Sequence, residues 1–240
     1  MKLRNKVAVV TGAAGGMGSA IVRELDREGV KCILFSKSED KTKKLINSLS
    51  SEGHTFYLAD FRDTKEIEKV IKRILKDLNK IDLLFNVAGI GIYKGIEDIT
   101  LKEWDDSISV NLTAPFLLTK GLIPLLKKSK DSVVVSIGSV LGTAPLDPNR
   151  IAYIVSKFGL RGLNLALSKD YERKIPRFCL ITLGSTLTDF GPGELKDRLR
   201  KQKEGKKYFT PKWVAKKLIE IIKNDEVKDE ITLFPTEQLK

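Results

Sequence analysis

Short apolar runs alternate along the whole chain with longer stretches in which apolar residues recur every three or four positions. The runs at Lys6–Thr11, Lys31–Ser36, Thr55–Ala59, Ile81–Asn86, Ser132–Ile137, Arg177–Leu183 and Glu230–Phe234 are almost continuously apolar and read as buried strands. Between them the spacing predicts helices near 17–28, 40–51, 64–79, 101–127, 152–172 and 211–223. In the third, Ile67, Val70, Ile71, Ile74, Leu75 and Leu78 make one apolar stripe, and Asp63 or Thr64 stands where a cap is needed. Strands alternating with helices of this length predict an α/β fold, a doubly wound parallel sheet with helices on both faces. No repeat, low-complexity tract or linker interrupts the pattern, so residues 1–240 are expected to form a single domain. The least regular piece, Gly184–Tyr208, follows the sixth strand. Ligands of open α/β sheets bind beyond the carboxyl ends of the strands, so a substrate lid is expected near 185–208.

Composition narrows the classes. With 42% hydrophobic and 31% charged residues the chain is globular, and 240 residues supply ample core. The apolar run behind the basic start is only Val7–Val10, too short for a leader or a membrane span, so a cytoplasmic protein is expected. Cys32 and Cys179 lie inside strand-like runs and read as buried free thiols, with no metal-binding spacing. The only histidine, His54, has no recognisable acidic partner and reads as structural, which disfavours a Ser-His-Asp hydrolase. The net charge of +12 is concentrated: Lys196–Lys217 holds ten basic residues and two acidic ones. No nucleic-acid reader motif accompanies it, so that stretch is either a solvated helix face or a docking place for an acidic carrier or acidic substrate.

Three features carry chemistry. Tyr153 and Lys157 lie four apart at the start of an apolar helix, so they share one face. A phenol with a pKa of about 10 needs help to exchange protons near neutrality, and a neighbouring cation lowers that pKa. Ser139 follows the fifth strand, where a hydroxyl can polarise a substrate oxygen; Ser136 is the alternative. Thr11 to Gly18 is a strand end, a glycine turn and a helix start, with Gly12, Gly16, Met17 and Gly18 placed to approach a pyrophosphate. Each also has a plainer reading, as turn, strand-end or helix residues.

Taken in order, Thr11-Gly-x-x-x-Gly-x-Gly18, Asn86-Val-Ala-Gly89, Asn111, Ser139, Tyr153-x-x-x-Lys157 and Gly184-x-x-x-Thr188 resemble the motifs of the classical branch of the short-chain dehydrogenase/reductase family, over nearly the whole chain. The resemblance implies a Rossmann-type sheet of about seven strands, NAD(P)-dependent interconversion of a carbonyl and a secondary alcohol, and a homotetramer or homodimer. By resemblance, Asn111, Ser139, Tyr153 and Lys157 are catalytic, Tyr153 being the acid in reduction; Tyr153 and Lys157 also bind the cofactor, Lys157 at the nicotinamide ribose. Asp60 would accept from the adenine amino group, Asn86, Ala88 and Gly89 would line the adenosine, and Thr188 would meet the carboxamide. The second strand ends Phe35-Ser36-Lys37-Ser38, without an acid at its tip, and Ser36 and Lys37 suit a 2′-phosphate, so NADP(H) is favoured over NAD(H). Ile92, Tyr93, Leu146, Phe190 and Tyr208 imply a mainly apolar small-molecule substrate, among ketones, oxo acids or 3-oxoacyl compounds. Two departures from the family pattern are Leu183-Gly184 in place of Pro-Gly and a Ser139–Tyr153 loop one residue longer. The rival reading is a catalytically silent NADP(H)-binding sensor or scaffold.

Overall fold

In a computed structural model, seven parallel strands form one sheet in the order β3-β2-β1-β4-β5-β6-β7. The described residues are all except 145, 146, 173, 194 and 240. The strands are β1 Val7–Thr11, β2 Lys31–Ser36, β3 Thr55–Leu58, β4 Leu83–Asn86, β5 Val133–Ser139, β6 Arg177–Leu183 and β7 Glu230–Leu233. All seven expected strands form, with ends shifted by up to two residues. The strand order reverses between β1 and β4, which opens a crevice above their carboxyl ends.

The helices are α1 Gly16–Arg27, α2 Glu39–Ile46, α3 Thr64–Asp77, α4 Leu101–Ile108, α5 Ala114–Leu126, α6 Ile151–Asp170, α7 Leu195–Lys203 and α8 Pro211–Lys223. One apolar layer joins the sheet to α1 and α8; the other joins it to α3 and α5. In α3, Ile67, Val70, Ile71 and Ile74 face the sheet and Asp63 caps the helix by accepting from the Lys65 N–H. Leu75 departs from the expected stripe and stands 39% exposed. It falls one position after Ile74, about 100° away from the buried face.

Two further departures bear on the site. The expected helix 101–127 is broken by a π-helical turn, Ser109–Thr113, followed by Pro115, which lacks the N–H that a continuous helix would use. Leu101–Leu126 as a whole has the length and hydropathy of a membrane span, but Leu118, Leu122, Leu125 and Leu126 are buried in the α3/α5 layer, as in a core helix. The segment expected to be least regular contains α7, whose Leu, Lys, Arg and Gln residues favour helix; Asp189 accepts from its first N–H.

The cysteines are free and buried as expected. His54 does have an acidic partner. Its Nδ1 accepts from the Cys32 N–H at 3.1 Å, so Nε2 carries the proton and donates to Asp26 at 3.1 Å. Asp26 lies 28 residues away in α1, a separation no local pattern reveals. The pair ties β2 to α1 and remains structural.

Asp82 fastens the amino-terminal end of β1, away from the crevice. Its buried carboxylate accepts from the Val7 N–H (2.9 Å), Ser129 Oγ (2.6 Å) and Lys6 Nζ (3.2 Å). Burial pushes its pKa up, but the Ser129 and Val7 hydrogen bonds and Lys6 outweigh burial and hold it below the ordinary value. Asp82→Asn is therefore expected to destabilise the protein by about 2–4 kcal/mol in urea denaturation at pH 7. A lowered native pKa gives stability that is present above the unfolded carboxylate range and lost as pH falls through the native value. The gap between wild type and variant should accordingly narrow in acid.

Candidate active site

The glycine turn lies at the crevice between β1 and β4. Thr11 Oγ1 donates to Phe85 O (3.2 Å) and accepts from Val87 N (2.9 Å) and Ala88 N (3.0 Å), which joins the two strand ends. Gly12 has φ +62°, and a Cβ there would lie 2.9 Å from Ala88 Cα. A Cβ on Gly18 would collide with the Gly12 carbonyl. The turn is thus closed by backbone alone. The N-cap of α1 is Gly15, with no capping side chain and no acid in the first turn, so its amides point out uncompensated. Asn86 donates to Thr119 Oγ1 at 3.4 Å, while its buried Oδ1 has no hydrogen-bond partner among the described residues. Free amides, an absent side-chain bulk and an orphaned acceptor fit an anionic nucleotide that also offers a donor.

A cavity of about 570 Å³ adjoins the turn, and Met17, Gly89, Ser139, Tyr153, Lys157 and Thr188 all line it. Ser139 ends β5 and accepts from the Leu141 N–H at 3.2 Å; its hydroxyl also acts on the Tyr153 phenol, drawing that pKa down. The alternative, Ser136, is buried within the sheet and does not reach this cavity. Asn111 sits in the π-helical turn. Its Oδ1 accepts from Ile90 N (2.8 Å), and its Nδ2 donates to Ile90 O (2.9 Å) and Ser156 Oγ (3.0 Å). Asn111 stands behind the cavity wall: a Cβ on Gly89 would lie 3.2 Å from its Oδ1 and 3.8 Å from Lys157 Nζ.

Lys157 is almost fully buried and donates to Ile137 O at 2.8 Å. Burial without a carboxylate lowers its pKa to about 8. The sequence led us to expect that this cation lowers the Tyr153 pKa. In the structure the phenol lies above its ordinary value, because burial outweighs the lowering influence of the Ser139 hydroxyl, Arg150 and Arg198. Tyr93 and Phe190 cover it edge-on, with ring centroids 5.6 and 5.7 Å away. The Lys157 ammonium, 5.9 Å from the ring centre, is turned toward the Ile137 carbonyl instead.

The residues expected at the nucleotide's far end lie apart from that cavity. Ser36 is buried and accepts from the Ser38 N–H at 3.2 Å. Lys37 and Asp60 line a shallow depression with Lys69, Lys72 and Arg73. Asp60 is already engaged by Arg62, whose hydrogen bonds and charge hold its pKa at about 2. Of the expected substrate contacts, Tyr93, Phe190 and Tyr208 line the cavity, Ile92 does not, and Leu146 lies outside the described residues. The wall is also more polar than expected, because Arg150, Arg198, Lys201 and Lys206 belong to it. In the sequence, Arg198 was visible only within the general basic stretch. Gly184 replaces no function: a Cβ there would lie 2.8 Å from Pro235, so the C-terminal segment packs directly behind the cavity.

A doubly wound sheet with a glycine turn at its switch point and a tyrosine–serine–lysine cavity beside it defines a nicotinamide-nucleotide oxidoreductase. The chain belongs to the short-chain dehydrogenase family, whose model matches residues 6–198. It is an oxidoreductase acting on CH–OH groups with NAD(P). It is 33% identical over 201 residues to a 3-oxoacyl-(acyl-carrier-protein) reductase, FabG, of Buchnera aphidicola, covering 84% of this chain and 78% of the relative. It is 34% identical over 174 residues to the oxidoreductase UcpA of Salmonella typhimurium, covering 72% and 66%. Among solved structures, a short-chain dehydrogenase from Burkholderia cenocepacia in complex with NADP superposes with a TM-score of 0.84 at 25% identity, covering 98% of this chain and 97% of that one. An alcohol dehydrogenase from Thermococcus sibiricus complexed with 5-hydroxy-NADP gives 0.80 at 25% identity, covering 96% of each.

Proposed function

We propose that this chain is a cytoplasmic, homo-oligomeric single-domain reductase that converts a ketone, oxo acid or 3-oxoacyl compound to the secondary alcohol, with NADPH preferred. The observation that carries the reading is the convergence of Ser139, Tyr153 and Lys157 on one cavity beside the glycine turn. When bound, NADPH would supply the hydride. Gly12, Gly16, Met17 and Gly18 would hold its pyrophosphate, Asn86, Ala88 and Gly89 its adenosine side, and Thr188 and Lys157 its nicotinamide end.

Ser139 orients the substrate oxygen, and the Tyr153 phenol gives that oxygen a proton as charge develops on it. The raised pKa keeps Tyr153 protonated and fit to act as the acid. Asn111, bound to the backbone of Ile90 and to Ser156, holds the π-helical turn against α6 and would position a water beside Lys157, through which protons could reach the lysine. The segment 185–208 is the lid: Arg198 on α7 donates to Thr186 O and Phe190 O and so draws Phe190 over Tyr153. Arg198, Lys201 and Lys206 bring the basic stretch to the cavity wall, which makes an acidic substrate, or the acidic carrier of a thioester, the fitting partner. Phe116 on α5 and Val155 and Phe158 on α6 stand about two-fifths exposed and supply an apolar surface for self-association.

Preference for NADPH rests on the acid-free tip of β2 and on the cations Lys37, Lys69, Lys72 and Arg73 near it. The NADPH-over-NADH ratio of kcat/KM should fall by roughly tenfold or more in Lys37→Glu, as expected from replacing an attractive charge by a repulsive one. Wild-type preference for NADH would contradict the nucleotide assignment.

A further inference from the structure

We infer that Arg150 and Arg198 form an anion clamp over the reacting centre, so that the substrate is a small oxo acid held by its carboxylate. This rests on the reductase reading and narrows it. The two guanidiniums come from different elements of the cavity wall. Arg150 is the N-cap residue of α6, three residues before Tyr153, and its guanidinium lies 4.3 Å over the Tyr93 ring. Arg198 comes from α7 in the lid. Both line the cavity, and both act electrostatically on the same two phenols, Tyr93 and Tyr153. Two cations from separate elements thus bear on the phenol that would meet the substrate oxygen.

The surrounding charges favour an anion. Arg150, Lys157, Arg198, Lys201 and Lys206 line the cavity against two carboxylates, Asp147 and Asp197. Asp147 pairs with Arg150 at 3.2 Å, on a side chain that is 49% exposed. Such an exposed pair is weak and can yield to a ligand carboxylate. Arg198 has donors to spare. Its terminal nitrogens serve Thr186 O and Phe190 O, while its buried Nε has no partner among the described residues. A buried guanidinium N–H left unpaired is costly, and a carboxylate is its natural acceptor. Because the same guanidinium pins the Phe190 carbonyl, an anion reaching it would also settle the lid over Tyr153.

The test compares acids with their neutral counterparts. kcat/KM is measured with NADPH for 2-oxobutanoate, 3-oxobutanoate and 4-oxopentanoate and for their methyl esters, in wild type, Arg150→Met and Arg198→Met. Wild type should favour at least one acid over its ester by about tenfold or more, and the acid-to-ester ratio should fall about 10- to 100-fold in each variant. A general loosening of the lid lowers both rates together and leaves that ratio unchanged. Ratios near one for every pair in wild type, or ratios unaffected in both variants, would overturn the clamp. So would an oxoacyl thioester of a carrier protein that outperforms every free acid and is indifferent to Arg150→Met. A second arm needs no hydride transfer: ligand-observed NMR compares binding of butanoate and butanamide to the nucleotide complex. Preferential butanoate binding that is lost in Arg150→Met supports the clamp even if no oxo compound is reduced, in which case the reductase reading is what fails. Equal binding of the two overturns the clamp while leaving ester reduction intact.

Discussion

Replacing Tyr153 with phenylalanine is expected to lower kcat for carbonyl reduction by ~10²–10⁴-fold, the usual worth of a positioned general acid. Only one oxygen is removed. The ring keeps its edge-on contacts with Tyr93 and Phe190, so the cavity should hold its shape. Nucleotide affinity should change little, because Tyr153 contributes less to the nucleotide's seat than the glycine turn and Lys157. Stopped-flow turnover beside fluorescence titration of NADPH separates the two effects. A variant that turns over at the wild-type rate would remove Tyr153 from the chemistry, and one that fails to bind nucleotide would give it a structural role instead.

The second large effect has opposite signs for activity and stability. Lys157→Met should lower turnover by about two orders of magnitude or more, yet leave the folded protein more stable. Burial has lowered the lysine's pKa from 10.5 to about 8, so at pH 7 the folded state holds a charge it disfavours by roughly 3 kcal/mol. Methionine fills similar space without that charge. The Ile137 carbonyl loses its donor, which gives back about 1 kcal/mol, so a net gain of roughly 1–2 kcal/mol is expected. The pH dependence distinguishes this from generic repacking. Between pH 8 and 10.5 the unfolded chain carries the lysine proton and the folded chain does not, so wild-type stability should rise with pH across that window. In the variant that rise should vanish, and its advantage should be smaller at pH 9.5 than at pH 7. Denaturant midpoints at the two pH values read it directly. Nucleotide affinity of the wild type should weaken over the same range, as Lys157 loses its charge. A variant less stable than wild type at pH 7 would mean that the lysine's hydrogen bond outweighs its burial.

The sequence made the scaffold legible because parallel strands buried on both faces leave nearly continuous apolar runs. β2 and β6 were readable to the residue, as was α8 with Pro211 at its start. The glycine turn was equally plain, since Gly12 and Gly18 each answer a backbone approach that a side chain would block. What escaped reading depends on residues far apart in the chain. His54 finds Asp26 across 28 positions, and no local spacing marks that pairing. The π-helical turn at Asn111 comes from a tertiary fit between α4, α5 and α6, while the apolar spacing of 101–127 continues through it unbroken. Electrostatics was the least legible layer. Sequence spacing placed Lys157 one turn from Tyr153, but it could not show that Tyr93 and Phe190 bury the phenol, or that the ammonium turns to Ile137. The charges that do act on the phenol, Arg150 and Arg198, come from the N-cap of α6 and from α7.

The decisive measurement is transfer of the label itself. Enzyme is incubated with NADPH deuterated at C4 and with the oxo acids, and the alcohol product is examined by mass spectrometry and NMR. The expected result is one deuterium on the carbinol carbon of each turned-over product, absent when Tyr153→Phe is used. Tight nucleotide binding with no deuterium delivered to any carbonyl would contradict catalysis and leave the chain as a nucleotide-binding scaffold.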